Sequence, residues 1–345
     1  MPRLRTVSPN TKGWTRRRAG RGFVYLDTDG ARLPEQDVDR IRSLVIPPAW
    51  QEVWICPFPN GHLQAVGVDA AGRRQYLYHP DWRAKRDRLK FDRVAEVAAT
   101  LPKARAAILD HLALDGMPRE RAAATAVRLL DLGYFRIGSD SYVDANGSFG
   151  LTTLEKRHVR RRGGRLVFCF TGKSGIEHCV EINDPLAVAA VETMRRRRGG
   201  GDRLLTFKDA ARWAPLDAAT VNDYLREATG AEITAKDFRT WHATVLAAAS
   251  LASSEEPGTT RASRKRAVRT AMVEVSEYLG NTPTIARASY VDPRVVDLYE
   301  DGTTIAGALH REYTSADERQ AALERAVLRL LSQAPESSLR AVRSR

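Results

Sequence analysis

The chain has 345 residues and a mass of 38.3 kDa, enough for two domains with separate cores. It carries 55 Lys and Arg against 42 Asp and Glu, a formal net charge of +13. With 28% charged and 43% hydrophobic residues, it has the composition of a globular protein, not of a disordered polycation. No apolar run approaches the roughly 18 residues that a membrane helix needs. The opening MPRLRTVSPNTKGWTRRRAG lacks the apolar stretch of a secretory signal. Cys56, Cys169 and Cys179 are too few and too separated for a disulfide framework or a zinc site. A cytoplasmic protein with reduced thiols is therefore expected. Of the cations only nine are Lys and 46 are Arg. Planar, bidentate guanidinium groups suit phosphate recognition, although GC-rich coding would produce the same excess.

Residues 1 to about 85 read as β-rich. GFVYLDTDGARL alternates apolar positions around Asp29-Gly30, a hairpin signal. EVWICPFPNGHLQAVGVDAAGRRQYLYHP follows as short strands punctuated by Asn60-Gly61 and Ala71-Gly72. Residues 1–90 hold 17 Lys and Arg against 9 Asp and Glu, so a net +8 of the charge sits in the first quarter. A small basic sheet suits a clamp on a polyanion. Tyr76 and Tyr78 share one face of their strand by alternation, beside Arg73 and Arg74. That face is either a nucleic-acid contact or an aromatic core face.

From about residue 90 the pattern is helical. One helix is predicted from about Lys103 to Leu114, and the next opens at Pro118 and stops at Gly133. LVFCF, a turn over Thr171–Gly175 and IEHCVEI predict a β-hairpin with Lys173 at its tip. Helices follow at about 185–198, 217–228, 235–252, 261–279 and 316–332, with capping pairs Thr234/Asp237 and Ser315/Glu318. Arg195–Gly201, RRRRGGG, reads as a flexible basic loop. Arg160, Arg161 and Arg162 fit either a DNA backbone contact or a solvated charge run. The basic tail from Pro335 onward is expected to be mobile and is assigned no role.

Gly172-Lys173-Ser174 looks like the end of a phosphate loop, but position 167 is Val where that motif needs Gly. The sequence has no HExxH motif, no GxSxG elbow and no dinucleotide fingerprint. What remains is a dispersed set. Arg136 lies in GYFRIGSD just past a helix, Lys173 at a hairpin tip, and Arg239 in the first turns of a helix within TAKDFRTWHAT. Asn281 and Tyr290 lie in LGNTPTIARASYVDP between two helices. Two arginines, a lysine, an amide and a tyrosine suit phosphoryl transfer with tyrosine as covalent nucleophile.

Taken in order, GYFRIGS, TGKSG, KDFRTWHAT and GNTPTIARASYVDP resemble the active-site motifs of type IB DNA topoisomerases, of the compact poxvirus-like and bacterial branch. IPPAWQEVWICPFPNGHLQAVGVDAAGRRQYLYHPDWR resembles that branch's N-terminal DNA-clamping domain, so the likeness covers nearly the whole chain. The resemblance implies an α+β fold: a small antiparallel β-sheet domain over 1–85 and a larger, mainly α-helical catalytic domain over 90–345 carrying a short β-hairpin or meander. It implies that Tyr290 attacks a phosphodiester to form a 3′-phosphotyrosyl link, with Arg136 and Arg239 on the non-bridging oxygens. Lys173 would be the general acid to the 5′ oxygen, and Lys236 matches a second lysine near that step. Asn281 stands where poxvirus members carry histidine; an amide donates a hydrogen bond but cannot shuttle a proton. His242 reads as a core or surface histidine and not as a substitute. The expected partner is duplex DNA, preferably supercoiled, clamped by a monomer with no metal, nucleotide or other cofactor. A tyrosine recombinase or a non-enzymatic DNA-binding protein are the competing readings. Recombinases typically carry His where this chain has Lys236, and their N-terminal domains are usually helical.

Overall fold

The computed structural model describes residues 3–253 and 260–334; the tail from Pro335 lies outside them. The chain divides into two compact units, Met1–Lys90 and Phe91–Arg345.

The first unit holds β1 (Trp14–Ala19), β2 (Gly22–Leu26), α1 (Glu35–Ser43), β3 (Gln51–Ile55), β4 (Leu63–Val68) and β5 (Arg74–Tyr78). The strands form one antiparallel sheet in the order β2-β1-β3-β4-β5. The hairpin turns at Gly20, whose φ of +56° suits glycine, and pairs Ala19 with Gly22. The sequence placed that hairpin around Asp29-Gly30. There the chain does turn, with Asp27 Oδ1 accepting from the Asp29 and Ala31 amides, but only a single bridge, Leu26 to Arg32, returns. Local turn chemistry formed as read; no strand followed to make it a hairpin. Ile41, Val53, Ile55 and Ala65 form a small core between α1 and the sheet. Arg16 braces it by donating to the carbonyls of Ile46, Pro47 and Trp50. β5 alternates so that Arg74, Tyr76 and Tyr78 face outward.

α2 (Pro80–Ala98) is followed by α3 (Leu101–Leu112), α4 (Arg119–Gly133), α5 (Asp140–Asn146), β6 (Val159–Arg162), β7 (Arg165–Thr171), β8 (Glu177–Ile182) and α6 (Pro185–Arg196). Then come β9 (Thr206–Asp209), β10 (Arg212–Pro215), α7 (Ala218–Thr229), α8 (Ala235–Ser253), α9 (Arg261–Leu279), α10 (Pro283–Ser289), α11 (Pro293–Glu300), α12 (Ala306–Leu309) and α13 (Ala316–Ser332). Together with the N-terminal sheet this is the expected α+β architecture. α4 is the spine of the second unit: Ala122 to Leu130 are all buried, and α3, α6, α7 and α8 pack around it. β6, β7 and β8 form an antiparallel meander, one strand more than the predicted hairpin. Among the described residues no helix is long and apolar enough to cross a membrane.

Two expectations fail here. Cys169 and Cys179 are directly opposed in the β7–β8 register and form a disulfide, with Cα atoms 4.3 Å apart, whereas Cys56 is free and buried. Ten residues apart in sequence, their pairing is visible only once strand register is known. RRRRGGG is also more ordered than read. Arg195 and Arg196 belong to α6, within the helix predicted over about 185–198, and the departure lies at Arg197, which is buried, its guanidinium donating to the carbonyls of Met194, Gly200, Gly201, Arg203 and Leu204. The arginine closes the glycine loop on itself.

A buried ionic network ties α3, α4, α8 and α13 together. Arg105 binds Asp131 at 2.8 Å and Glu324 at 2.6 Å, and His242 Nε2 lies 3.0 Å from Asp131 Oδ1. Burial alone would raise the Asp131 carboxyl, but Arg105, with His242 adding, holds it far below the usual carboxylate range. A depressed carboxylate stabilises the fold above its unfolded pKa of about 4 and loses that contribution as pH falls through its folded value. Asp131→Asn is expected to cost about 3 kcal/mol at pH 7 by leaving Arg105 half-paired. The variant should also lose less stability than wild type between about pH 5 and pH 2. Denaturant unfolding at several pH values reads both effects.

Candidate active site

α4 ends where Tyr134 turns left-handed at φ +55°, which sends Phe135 into the core and Arg136 out beside the end of α9. Gly133 is needed there, because a Cβ would sit 2.3 Å from the Phe135 ring. α9 closes at Gly280, φ +56°, where the Gly280 and Asn281 amides take the Glu277 and Ser276 carbonyls and leave those of Leu279 and Gly280 to side-chain donors. Arg136 Nη2 donates to Gly280 O at 3.0 Å and to Asn281 Oδ1 at 2.6 Å. Arg239, in the second turn of α8 and buried, donates from Nη2 to Leu279 O at 2.8 Å and from Nη1 to Tyr134 O. Two guanidinium groups from distant segments are thus held on one helix C-terminus, the end whose dipole favours cations.

Thr282 Oγ1 caps α10 by accepting from the Ile285 amide, and Pro283 occupies its first turn. This short helix, unread in the sequence, sets Asn281 and Tyr290 at its two ends. Thr244 on α8 fixes the far end, donating to Tyr290 O at 3.3 Å and accepting from the Asp292 amide at 3.1 Å. The Arg239 guanidinium carbon lies 5.7 Å from the Tyr290 ring centroid. Burial and the neighbouring Arg136 cation push the Arg239 pKa down to about 10, with Tyr290 opposing, so it stays charged at neutral pH. Two buried donors, Arg239 Nε and Asn281 Nδ2, have no hydrogen-bond partner among the described residues. An oxyanion would satisfy both.

Four of the six predicted residues, Arg136, Arg239, Asn281 and Tyr290, therefore converge. Lys173 and Lys236 do not join them by any hydrogen bond or ion pair. Lys173 is exposed in the short turn Lys173–Gly175 at the β7–β8 tip, and Lys236 is exposed in the first turn of α8. His242 is buried against Asp131 and Tyr134, a core histidine as read.

The sequence passed over two residues of the site. His178, half-buried on β8, and Tyr278, exposed on α9, line the same small cleft as Arg136, Gly172 and Arg239. Burial, Arg136 and Arg239 together lower the His178 pKa, with Glu177 opposing, which favours the neutral imidazole. The only sequence signal for His178 was its alternation with Cys179 on a strand opposite FCF.

On β5, Tyr76 and Tyr78 are 44% and 40% exposed and stacked with centroids 6.1 Å apart, which removes the core-face reading. Arg74 is exposed beside them, whereas Arg73 is held by Asp69 at 2.8 Å. On β6, Arg160, Arg161 and Arg162 are all exposed, with Arg161 Nε donating to Gly163 O at 3.0 Å.

A family model of the catalytic core of eukaryotic DNA topoisomerase I matches residues 79–307, and one of the N-terminal domain of bacterial DNA topoisomerase IB matches residues 22–69. The chain belongs to the DNA topoisomerase I family, enzymes that bind DNA and change its topology by relaxation. It is a compact type IB member, an isomerase. The DNA topoisomerase 1B of Acanthamoeba polyphaga mimivirus is 28% identical over 298 residues, 84% of this chain and 88% of that protein. The DNA topoisomerase 1B of vaccinia virus (strain Copenhagen) is 23% identical over 240 residues, 68% and 72% of the two chains. These matches set aside the recombinase and the non-enzymatic readings.

Proposed function

We propose that the enzyme relaxes DNA by cutting one strand through Tyr290, letting the free end swivel, and resealing it. Tyr290 Oη attacks the phosphorus and the bond to the 5′ oxygen breaks, leaving a 3′-phosphotyrosyl link and a 5′-hydroxyl. The phenolic proton passes to water, and Lys173 protonates the departing 5′ oxygen. Arg136, Arg239 and the Asn281 amide bind the non-bridging oxygens as charge builds on them. Lys236, by its match to a second lysine of the family, is proposed to assist the proton transfer to the 5′ oxygen. The observation that carries this reading is the convergence of Arg136, Arg239 and Asn281 beside Tyr290, with the Arg239 Nε and Asn281 Nδ2 donors left over.

Resealing is the reverse attack by the 5′-hydroxyl, so the energy of the phosphodiester is retained and ATP is not required. The arginines supply the charge stabilisation that a metal provides elsewhere. The proposed substrate is duplex DNA, preferably supercoiled because its strain drives rotation, bound by a monomer. The proposed place of action is the cytoplasm, at the nucleoid. Relaxation of negatively supercoiled plasmid in EDTA without ATP tests the reading. Complete relaxation supports it, and dependence on a divalent cation or nucleotide refutes it.

The basic strand β6 is proposed to follow the DNA backbone, and the Arg74–Tyr76–Tyr78 face to lie against the duplex. Removing Arg160 and Arg162 together is expected to reduce the slope of log affinity against log salt by about 2. Filter binding from 50 to 300 mM salt, roughly the range where such slopes are read, measures it.

A further inference from the structure

His178 sits where two glycines make room for it. A Cβ on Gly172 would lie 2.5 Å from His178 Cδ2, and one on Gly280 would lie 2.2 Å from His178 Cε1. Both distances are shorter than any real contact, so the imidazole rests directly on the backbone of both residues. Gly172 immediately precedes Lys173; Gly280 immediately precedes Asn281 and gives its carbonyl to Arg136. Behind the ring, Phe170 stacks on His178 at 5.3 Å and 21°, and Phe135 stacks on Phe170 at 5.9 Å and 19°. The column runs from the residue before Arg136, through β7 and β8, to the end of α9. No hydrogen bond to the His178 imidazole is found among the described residues, so the ring acts by shape and packing.

We infer that His178 is a positioning residue that seats the Lys173 tip of the β7–β8 hairpin on the Gly280–Asn281 turn. The inference rests on the reading of Lys173 as general acid. Lys173 is exposed and carries no bond of its own to the site, so its approach to the leaving oxygen depends on what holds the tip. The His178 side chain touches both the tip, at Gly172, and the turn, at Gly280. A larger residue at either glycine would displace it, and a smaller one at 178 would leave the tip without that contact.

The leaving group separates this role from a general loss of structure. A duplex with sulfur in place of the 5′ bridging oxygen, at the enzyme's own mapped cleavage position, expels a thiolate that needs no proton. His178→Ala is expected to slow cleavage of the ordinary duplex by about 10- to 100-fold, as a misplaced catalytic group does. On the sulfur duplex its rate should return to within about threefold of wild type, as should that of Lys173→Ala. An unchanged rate on the ordinary duplex, or an equal loss on both, overturns the seating role. If Lys173→Ala itself is not restored by sulfur, the acid assignment fails and the seating role fails with it. A second comparison does not rely on removing His178 alone. Gly172 has ordinary backbone angles, so the ring is the main obstacle to alanine there. Gly172→Ala should slow cleavage in the wild-type background and much less so in His178→Ala; strictly additive losses overturn the inference.

Discussion

Replacing Tyr290 by phenylalanine is expected to abolish relaxation and covalent adduct while leaving the fold and DNA affinity in place. The Tyr290 ring is packed against the core of the second unit, and its backbone carbonyl, not its hydroxyl, accepts from Thr244. Phenylalanine keeps that ring, that carbonyl and the adjacent Arg239 cation; only the attacking oxygen is gone. Loss of a covalent nucleophile removes a whole reaction path and not one interaction among several, so the rate should fall by about 10⁴-fold or more. Binding to duplex DNA should stay within about threefold of wild type, because phosphate and groove contacts made by other residues supply it. Plasmid relaxation over a wide enzyme titration measures the first effect, and filter binding the second. A variant that relaxes DNA within about tenfold of wild type would remove Tyr290 from the mechanism.

Arg239→Lys is the second large effect, and it should strike activity and stability together. The guanidinium spans two carbonyls, Tyr134 O and Leu279 O, and keeps Nε as a buried donor with no partner among the described residues. A lysine keeps the charge but has a single nitrogen and cannot serve both carbonyls and a phosphate. Leaving a buried acceptor unpaired costs about 1 to 3 kcal/mol, and losing one preorganised donor to the developing charge costs about 10²- to 10³-fold in rate. Arg136 offers the contrast. It is half-buried and tied to the edge of the site, so Arg136→Lys should lose comparable activity with a smaller loss of stability. Single-turnover cleavage and thermal unfolding of both variants, measured side by side, read the difference.

The sequence showed the strongest elements because their signals are local. Gly133 and Pro118 bracket α4, and the Thr234/Asp237 and Ser315/Glu318 pairs mark the starts of α8 and α13. Asp237 does accept from the Thr234 amide, and the Glu318 amide does donate to Ser315 Oγ. The Glu318 carboxylate, however, turns to Thr314 and not to Ser315. Short elements such as α5, α10 and α12 were not legible, since four to seven residues carry less than two turns of periodicity. α10 matters most, because it spans the chain from Asn281 to Tyr290.

The site was legible as a set of residue types in a familiar order, and not as a place. Nothing local says that Arg136 and Arg239 share the end of α9, or that Tyr134 must turn left-handed to offer a carbonyl. The same limit hid His178, whose importance lies in two glycines 108 residues apart, Gly172 and Gly280, that it touches at once. It also misplaced Arg197, read as part of a flexible basic loop, because the carbonyls that bury it come from the loop it closes. In each case the deciding partner is remote in sequence or is backbone, which residue identity does not report.

The most direct test of the whole account is to trap the enzyme on DNA and locate the bond. Duplex labelled on one strand is incubated with the enzyme in EDTA without nucleotide, quenched with detergent, and the adduct digested to a single labelled peptide. One peptide is expected, containing Tyr290, joined to the 3′ phosphate of the cut strand, with a free 5′-hydroxyl on the other end. Linkage through a 5′ phosphate, or an adduct on any other residue, would contradict it.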